Sequence, residues 1–180
     1  VDGYLPDALR EVRKYRKMAD AAVAQVPEAR WFVRLDPETN SLAVLMKHMS
    51  GNMRSRWTDF LTSDGEKPDR NRDGEFEEET DTPASVRARW EKGWGCLFDA
   101  IERLTDTDLA RTVTIRGEPH TVLQALQRQL THYAYHVGQI VFLAKHLAGP
   151  EWKSLSIPRG KSKEFEVAKD GATYLPPTTR

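Results

Sequence analysis

Thr121-Val-Leu-Gln-Ala-Leu-Gln-Arg-Gln-Leu-Thr-His-Tyr-Ala-Tyr-His-Val-Gly-Gln-Ile-Val-Phe-Leu-Ala-Lys-His-Leu147 is the stretch whose reading decides the fold. Its apolar positions Leu123, Leu126, Leu130, Tyr133, Val137, Ile140, Ala144 and Leu147 recur at alternating steps of three and four. That spacing lines one face of an α-helix. Thr121 is a helix-capping residue and Gly149-Pro150 a stop, so the pattern predicts a helix from Thr121 to the threshold of Gly149. Inside it His132 and His136 stand four residues apart. At about 100° and about 1.5 Å per residue, both rings leave the same face one turn apart, where they can grip one divalent ion.

Working outward, three more helices follow the same logic. A first apolar series runs through Leu5, Leu9, Val12, Ala19, Val23 and Val26 to a stop at Pro27. A second, capped by Asn40 or Ser41, has the stripe Leu42, Leu45, Met46, Met49, Met53, Trp57 and Phe60 and carries His48. A third starts at Thr82-Pro83 and repeats Val86, Trp90, Trp94, Leu97, Ile101 and Leu104. Between the second and third, Thr62 to Thr80 is mostly charged, with Gly65, Pro68 and Gly74. Such a segment reads as a long solvated connection without core residues, permitting its flanking helices to be neighbours or diagonal. Thr112-Val-Thr-Ile115 before Arg116-Gly117 alternates like a short strand or extended loop, on which no sheet is built.

The expected fold is therefore all-α: an antiparallel four-helix bundle over residues 1–148, with a long crossover between the second and third helices. Residues 149–180, with their prolines and charges, are expected to pack on it as an irregular tail. The chain of 180 residues, 39% hydrophobic with five tryptophans, is long enough for one such core.

Charge removes whole classes of function. Lys plus Arg and Asp plus Glu both total 27, so no general field favours nucleic acid or an anionic membrane, and neither is expected as a partner. No apolar run approaches a bilayer span, and the N-terminus shows no signal-peptide pattern, which places the protein in the cytoplasm as an expectation. The single Cys96 cannot form an internal disulfide; no paired base accompanies it, and it reads as a small core residue.

The histidines carry the chemistry. In projection His136 falls just inside the apolar arc of the last helix and His132 just outside, while His48 lies on the border of the second helix's arc. Two helices thus offer imidazole at the rim of one core. Three histidines with an open position form a pattern of catalytic zinc, and the set also suits nickel, iron or manganese. The competing reading is three unrelated polar-border histidines. His120 and His146 read as non-ligands.

A resemblance points the same way. Leu45-Met-Lys-His48-Met-Ser-Gly-Asn52, together with His132-Tyr-Ala-Tyr-His136-Val-Gly-Gln139-Ile, resembles the DinB/YfiT-like superfamily of metalloenzymes over roughly residues 5 to 148. Arg54-Ser-Arg-Trp-Thr-Asp-Phe-Leu61, Asp64-Gly-Glu-Lys-Pro68 and Ser156-Ile-Pro-Arg-Gly-Lys-Ser162 resemble a functionally unassigned branch of it. The resemblance implies a four-helix bundle, often dimeric, with a nickel-, zinc- or iron-like ion on His48, His132 and His136. Relatives of that superfamily include transferases that attach bacillithiol, mycothiol or glutathione to electrophiles, and a thiol-dependent maleylpyruvate isomerase. No thiol-binding motif accompanies the likeness here. The expected function is a divalent-metal-dependent enzyme, a thiol S-transferase or a hydrolase, acting on a small molecule with a low-molecular-weight thiol as candidate cosubstrate. The alternative is a non-catalytic, metal-binding helical dimer or stress-related scaffold.

Three further polar residues are candidates for substrate contact or for support of the ligands. Arg56 projects into the apolar arc of its helix, where it must meet a carboxylate, several carbonyls or a bound anion. A structural salt bridge and a clamp for a substrate carboxylate both answer that need. Gln129 projects into the arc one turn before His132, as a partner to the site or as polar core packing. Asn52 shares the side of its helix on which His48 lies. Trp57, Trp90, Trp94 and Tyr133 occupy stripe positions and read as core. Gly160-Lys161-Ser162 lacks the earlier glycine and the strand-helix flanks of a phosphate loop, so nucleotide binding is rejected.

Overall fold

The computed structural model describes residues 3–167 and 174–175. Four long helices dominate it: α1 (Tyr4–Val23), α2 (Leu42–Trp57), α3 (Pro83–Glu102) and α4 (Val122–Ala148). The starts of α2, α3 and α4 are set by side chains that replace missing intrahelical partners. Ser41 Oγ accepts from the Val44 N–H at 3.1 Å, Thr82 from Ser85 at 3.2 Å, and Thr121 from Gln124 at 3.1 Å. The last helix ends at Gly149, whose φ of 59° falls in the left-handed region.

The helices share one core in which Trp31, Met49, Met53, Trp94, Leu126, Tyr133 and Ile140 are almost wholly buried. Cys96 packs half-buried against it, and Trp57 and Trp90 lie within it, as their stripe positions predict. No helix among the described residues is long and apolar enough to cross a membrane.

Directions differ from a uniformly antiparallel bundle. Arg13 pairs with Glu102, Arg16 with Glu91, and Arg87 with Glu28 just beyond α1, so α1 and α3 run antiparallel. α2 and α3 instead run the same way, since Lys47 meets Asp81 just ahead of α3 and Gly93 lies against Ser50. The ends of α1 and α4 also coincide, where Arg30 donates to the Leu147 carbonyl and Gln25 holds Lys153. The physical reason is the crossover, long enough to return the chain to the end at which α2 began. Gly93 permits a close approach of the parallel pair, because a Cβ there would lie 2.9 Å from the Ser50 Cα.

Two further expectations are corrected. The first concerns the crossover, which is not simply solvated: Glu75 is buried, and the Arg70 side chain is only 5% exposed. By covering the polar side of α2 it leaves Arg54 as the one exposed residue of that helix, which is therefore nearly buried all round rather than amphipathic. The second concerns Thr112–Ile115, which pairs with Glu118–Thr121 as an antiparallel hairpin, β1 and β2. Arg116 and Gly117, at φ 58° and 76°, form its two-residue turn, and Val113 and Ile115 point into the core.

Asp64 locks that turn to the crossover. Its carboxylate accepts from the N–H groups of Glu66 (2.6 Å), Arg116 (2.8 Å) and Gly117 (2.8 Å), while the Gly65 N–H donates to the Thr114 carbonyl at 2.8 Å. These backbone hydrogen bonds, from Glu66 and Gly117 foremost, hold the Asp64 carboxyl down at about 2. The string Asp64-Gly-Glu thus has a structural job. Beyond α4 the described tail is largely irregular, with Trp152 and Leu155 packed on the core and a two-residue pairing of Glu166–Val167 with Tyr174–Leu175. The rest of the segment expected as a tail lies outside the described residues.

Candidate metal centre

His48 on α2 and His132 and His136 on α4 come together, each offering a nitrogen within 4.8 Å of the others. The α4 pair meets because of its one-turn spacing, with the two Nε2 atoms 3.1 Å apart. His48 completes the group from the facing helix, its ring centroid 5.6 Å from that of His132 and 4.8 Å from that of His136.

The remaining ring nitrogens decide which atoms are available. His48 Nδ1 lies 2.9 Å from Glu75 Oε2, and His136 Nδ1 lies 2.8 Å from Gln139 Oε1. Both partners accept, so each imidazole carries its proton on Nδ1 and turns the Nε2 lone pair inward. His132 Nδ1 is buried without a hydrogen-bond partner among the described residues. Burial, followed by the neighbouring His136 and His48, pushes the His132 imidazole down to about 3, and burial likewise lowers His136. Both stay neutral at neutral pH, as nitrogen ligands must.

The donor set fits a divalent ion. Ligands at about 2.0–2.1 Å in a tetrahedral or octahedral shell stand about 3.0–3.4 Å from each other, which brackets the separation of the two α4 nitrogens. Three imidazole nitrogens suit zinc, nickel or iron better than manganese, which prefers oxygen.

The crossover backs the site. Arg70 Nε donates to Glu75 Oε1 at 2.8 Å and its Nη2 to Oε2 at 2.9 Å, while the Phe76 ring lies 5.1 Å from the His48 ring. Burial raises the proton affinity of Glu75, but hydrogen bonds from His48 and Arg70 outweigh it and leave the carboxyl below its ordinary value. From Arg70 the network continues to Glu66, which also takes Arg56 at 3.1 Å and Arg116 at 3.0 Å. Behind this segment, a cleft of about 520 Å³ is lined by Lys47, Ser50, Gly51, Arg70 and Glu75 among others, and includes none of the three imidazoles.

The other candidates fall as follows. Arg56 is buried and answers its charge through Glu66 and the Gly65 carbonyl, yet its Nε has no partner among the described residues. Gln129 is buried with its Oε1 unpartnered among the described residues. Asn52 Oδ1 accepts from the Tyr133 hydroxyl at 3.2 Å, and that hydroxyl accepts from Trp57 Nε1 at 2.8 Å. His48, Asn52 and Arg56 therefore form a buried polar line along α2, one turn apart, against Tyr133 of α4. His120 hydrogen-bonds the Glu118 carbonyl in the hairpin and His146 is exposed; neither joins the cluster.

Sequence reasoning missed Arg70 and Glu75, and gave Gln139 no role. One signal was available: Gly51, a destabilising residue in the interior of a helix, marks a place where something comes close. That something is Glu75, whose Cδ would lie 2.6 Å from a Cβ at position 51.

The sequence pattern of a family described as "Protein of unknown function (DUF1572)" matches residues 1–161. No curated protein and no solved structure matches the chain.

Proposed function

The chain belongs to the DUF1572 family, and from that premise we propose that it is a divalent-metal-dependent enzyme on a DinB/YfiT-like four-helix bundle. The observation that carries this reading is the convergence of three imidazoles from two helices, two of them with the outer nitrogen already engaged. Zinc, nickel or iron held by His48, His132 and His136 would supply Lewis acidity, able to generate a nucleophile from a thiol or from water near neutral pH. Glu75 and Gln139 orient the rings. Asn52, Tyr133 and Trp57 hold one another rigid below them, and the unpartnered Arg56 Nε and Gln129 Oε1 are the atoms that a substrate's polar end would engage. An anionic or carboxylate-bearing small molecule matches Arg56 best. Thiol S-transfer or hydrolysis are the reaction classes consistent with this arrangement.

Metal analysis of the natively isolated protein, then loading with zinc, nickel, iron and manganese in turn, tests the reading. One equivalent should bind, and His132→Ala should abolish stoichiometric binding. Absence of binding by all four metals, or an unaffected variant, sinks it. A screen of low-molecular-weight thiols against electrophiles then separates transfer from hydrolysis.

A second reading, a non-catalytic metal-binding homodimer, is favoured by one observation. On the outward side of α4, Tyr135 and Phe142 are 62% and 72% exposed, an apolar pair suited to a second copy. Light scattering at the mass of one chain would remove it, as would turnover of any substrate in the thiol screen.

A further inference from the structure

We propose that Arg70 and Glu75, seated by Gly51, are positioning residues that hold His48 as an Nε2 ligand, coupling docking of the crossover to metal affinity. The proposal rests on reading the three imidazoles as a metal site, and goes beyond it by assigning control of that site to a distant loop.

The three ligands are not held alike. His136 is oriented by Gln139 of its own helix, and the His132 Nδ1 has no partner among the described residues. His48 is gripped from 27 residues away by edge and by face: Glu75 Oε2 accepts a hydrogen bond from its Nδ1–H, and Phe76 packs on its ring. Glu75 is itself fixed on both oxygens by the fork of Arg70, and both side chains are more than nine-tenths buried. A bidentate pair of this kind constrains direction as well as distance. Phe76 in turn carries the Arg72 guanidinium over its outer side, 5.6 Å from the ring centre.

Gly51 is the complementary feature on α2. It stands three residues after His48, and a methyl group there would overlap the Glu75 carboxylate, whose Cγ would lie 3.2 Å and whose Cδ only 2.6 Å away. The absence of a side chain therefore makes the seat for the carboxylate beside the ligand it orients. A carboxylate on the outer nitrogen of a metal-binding histidine fixes its tautomer and raises its basicity. Glu75→Gln keeps the shape but can turn an N–H toward Nδ1, which would move the imidazole proton to Nε2 and block the ligand atom.

Coupling is reciprocal: if a docked crossover strengthens metal binding, metal must stabilise the docked crossover by the same factor.

Zinc affinity is measured by competition with a chromophoric chelator for the wild type, Glu75→Gln and Gly51→Ala, with helix content followed by circular dichroism. Both variants should remain helical and bind zinc about 10- to 100-fold more weakly. Wild-type affinity in either folded variant overturns the proposal and leaves the metal site standing. No zinc binding by the wild type overturns the metal site and the proposal with it. A third measurement needs no variant: tryptic cleavage after Arg70 or Arg72 of the wild type, read by mass spectrometry, should slow several-fold when zinc is bound. Equal cleavage rates with and without zinc overturn the coupling.

Discussion

α4 and the crossover serve one cluster of imidazoles by opposite means. α4 supplies His132 and His136 through a period built into its own backbone, capped by Thr121 and stopped at Gly149. The crossover has no helical period. It holds His48 through Glu75 and Arg70, and is anchored elsewhere by Asp64 on the hairpin turn and by Glu66 on Arg56. Local regularity thus delivers two ligands as one unit, while the third is aligned by an ionic chain whose members find each other only after folding. The difference teaches that damage to α4 should act on coordination directly, whereas damage to the crossover should act on stability and alignment.

The sharpest way to break the comparison is to remove a ligand on the regular side. His136→Ala should weaken zinc binding by roughly 100- to 1000-fold, one ligand's share of the about 10–16 kcal/mol of a four-ligand site. Chelator competition checks it. A loss of less than tenfold would mean that α4 does not carry coordination.

Next in size is the crossover's own anchor. Glu66 serves Arg56, Arg70 and Arg116 together, and Arg56 is 5% exposed. Glu66→Gln should cost about 2–3 kcal/mol in urea unfolding, below the about 3–5 kcal/mol for breaking a fully buried pair, because Glu66 keeps some contact with water. Zinc affinity should fall much less than in Glu75→Gln, since Arg70 and Glu75 retain each other. The reverse ranking would place the site's control at Glu66.

These two walls also explain how far the sequence could be read. Helix starts at Ser41, Thr82 and Thr121 follow from capping chemistry, and the apolar stripes of α1, α3 and α4 follow from a period that a single helix carries alone. His132 and His136 share a face for the same reason. The burial of Arg56 was readable because its position in the stripe of α2 leaves no exposed direction. Glu75 was not readable: apart from Phe76 its neighbours in sequence are charged or glycine, and nothing local distinguishes a carboxylate that will meet Arg70 from one that will meet water. The hairpin was underestimated because four residues of alternation are too few to signal a strand without their partner, Glu118–Thr121. Helix directions depend on where the crossover lands, which is again a tertiary outcome.

A smaller effect sharpens the comparison within the helical seam. The Tyr133 hydroxyl receives Trp57 Nε1 and donates to Asn52 Oδ1, all three side chains being buried. Tyr133→Phe leaves a donor and an acceptor unpaired and should cost about 1–3 kcal/mol, toward the lower end because Phe keeps the packing. Denaturant midpoints test it. A neutral result would mean that the seam is held by packing alone.

The smallest expected effect separates the two walls by pH. In the folded chain burial and neighbouring imidazoles hold His132 at about 3 and burial also lowers His136, against about 6.5 for a free imidazole. The unfolded chain therefore takes up these protons first. Stability of the metal-free protein should be unaffected by these groups above about pH 6.5 and should decline as pH falls from there toward about 3. The carboxylates of the crossover wall, Glu66 and Glu75, are also lowered, but their contribution is intact above about pH 4.5 and is lost only below it. Between about pH 6.5 and 5, acid should weaken the α4 side and spare the crossover. His132 keeps partial contact with solvent, which screens the effect to less than about 1 kcal/mol over that interval. Urea midpoints at both ends of the interval, with chelator present, should show a decline in the wild type that is reduced in His132→Gln and preserved in Glu66→Gln. An unchanged decline in a His132→Gln, His136→Gln double variant would move the acid-sensitive group off α4 and undo the division between the two walls.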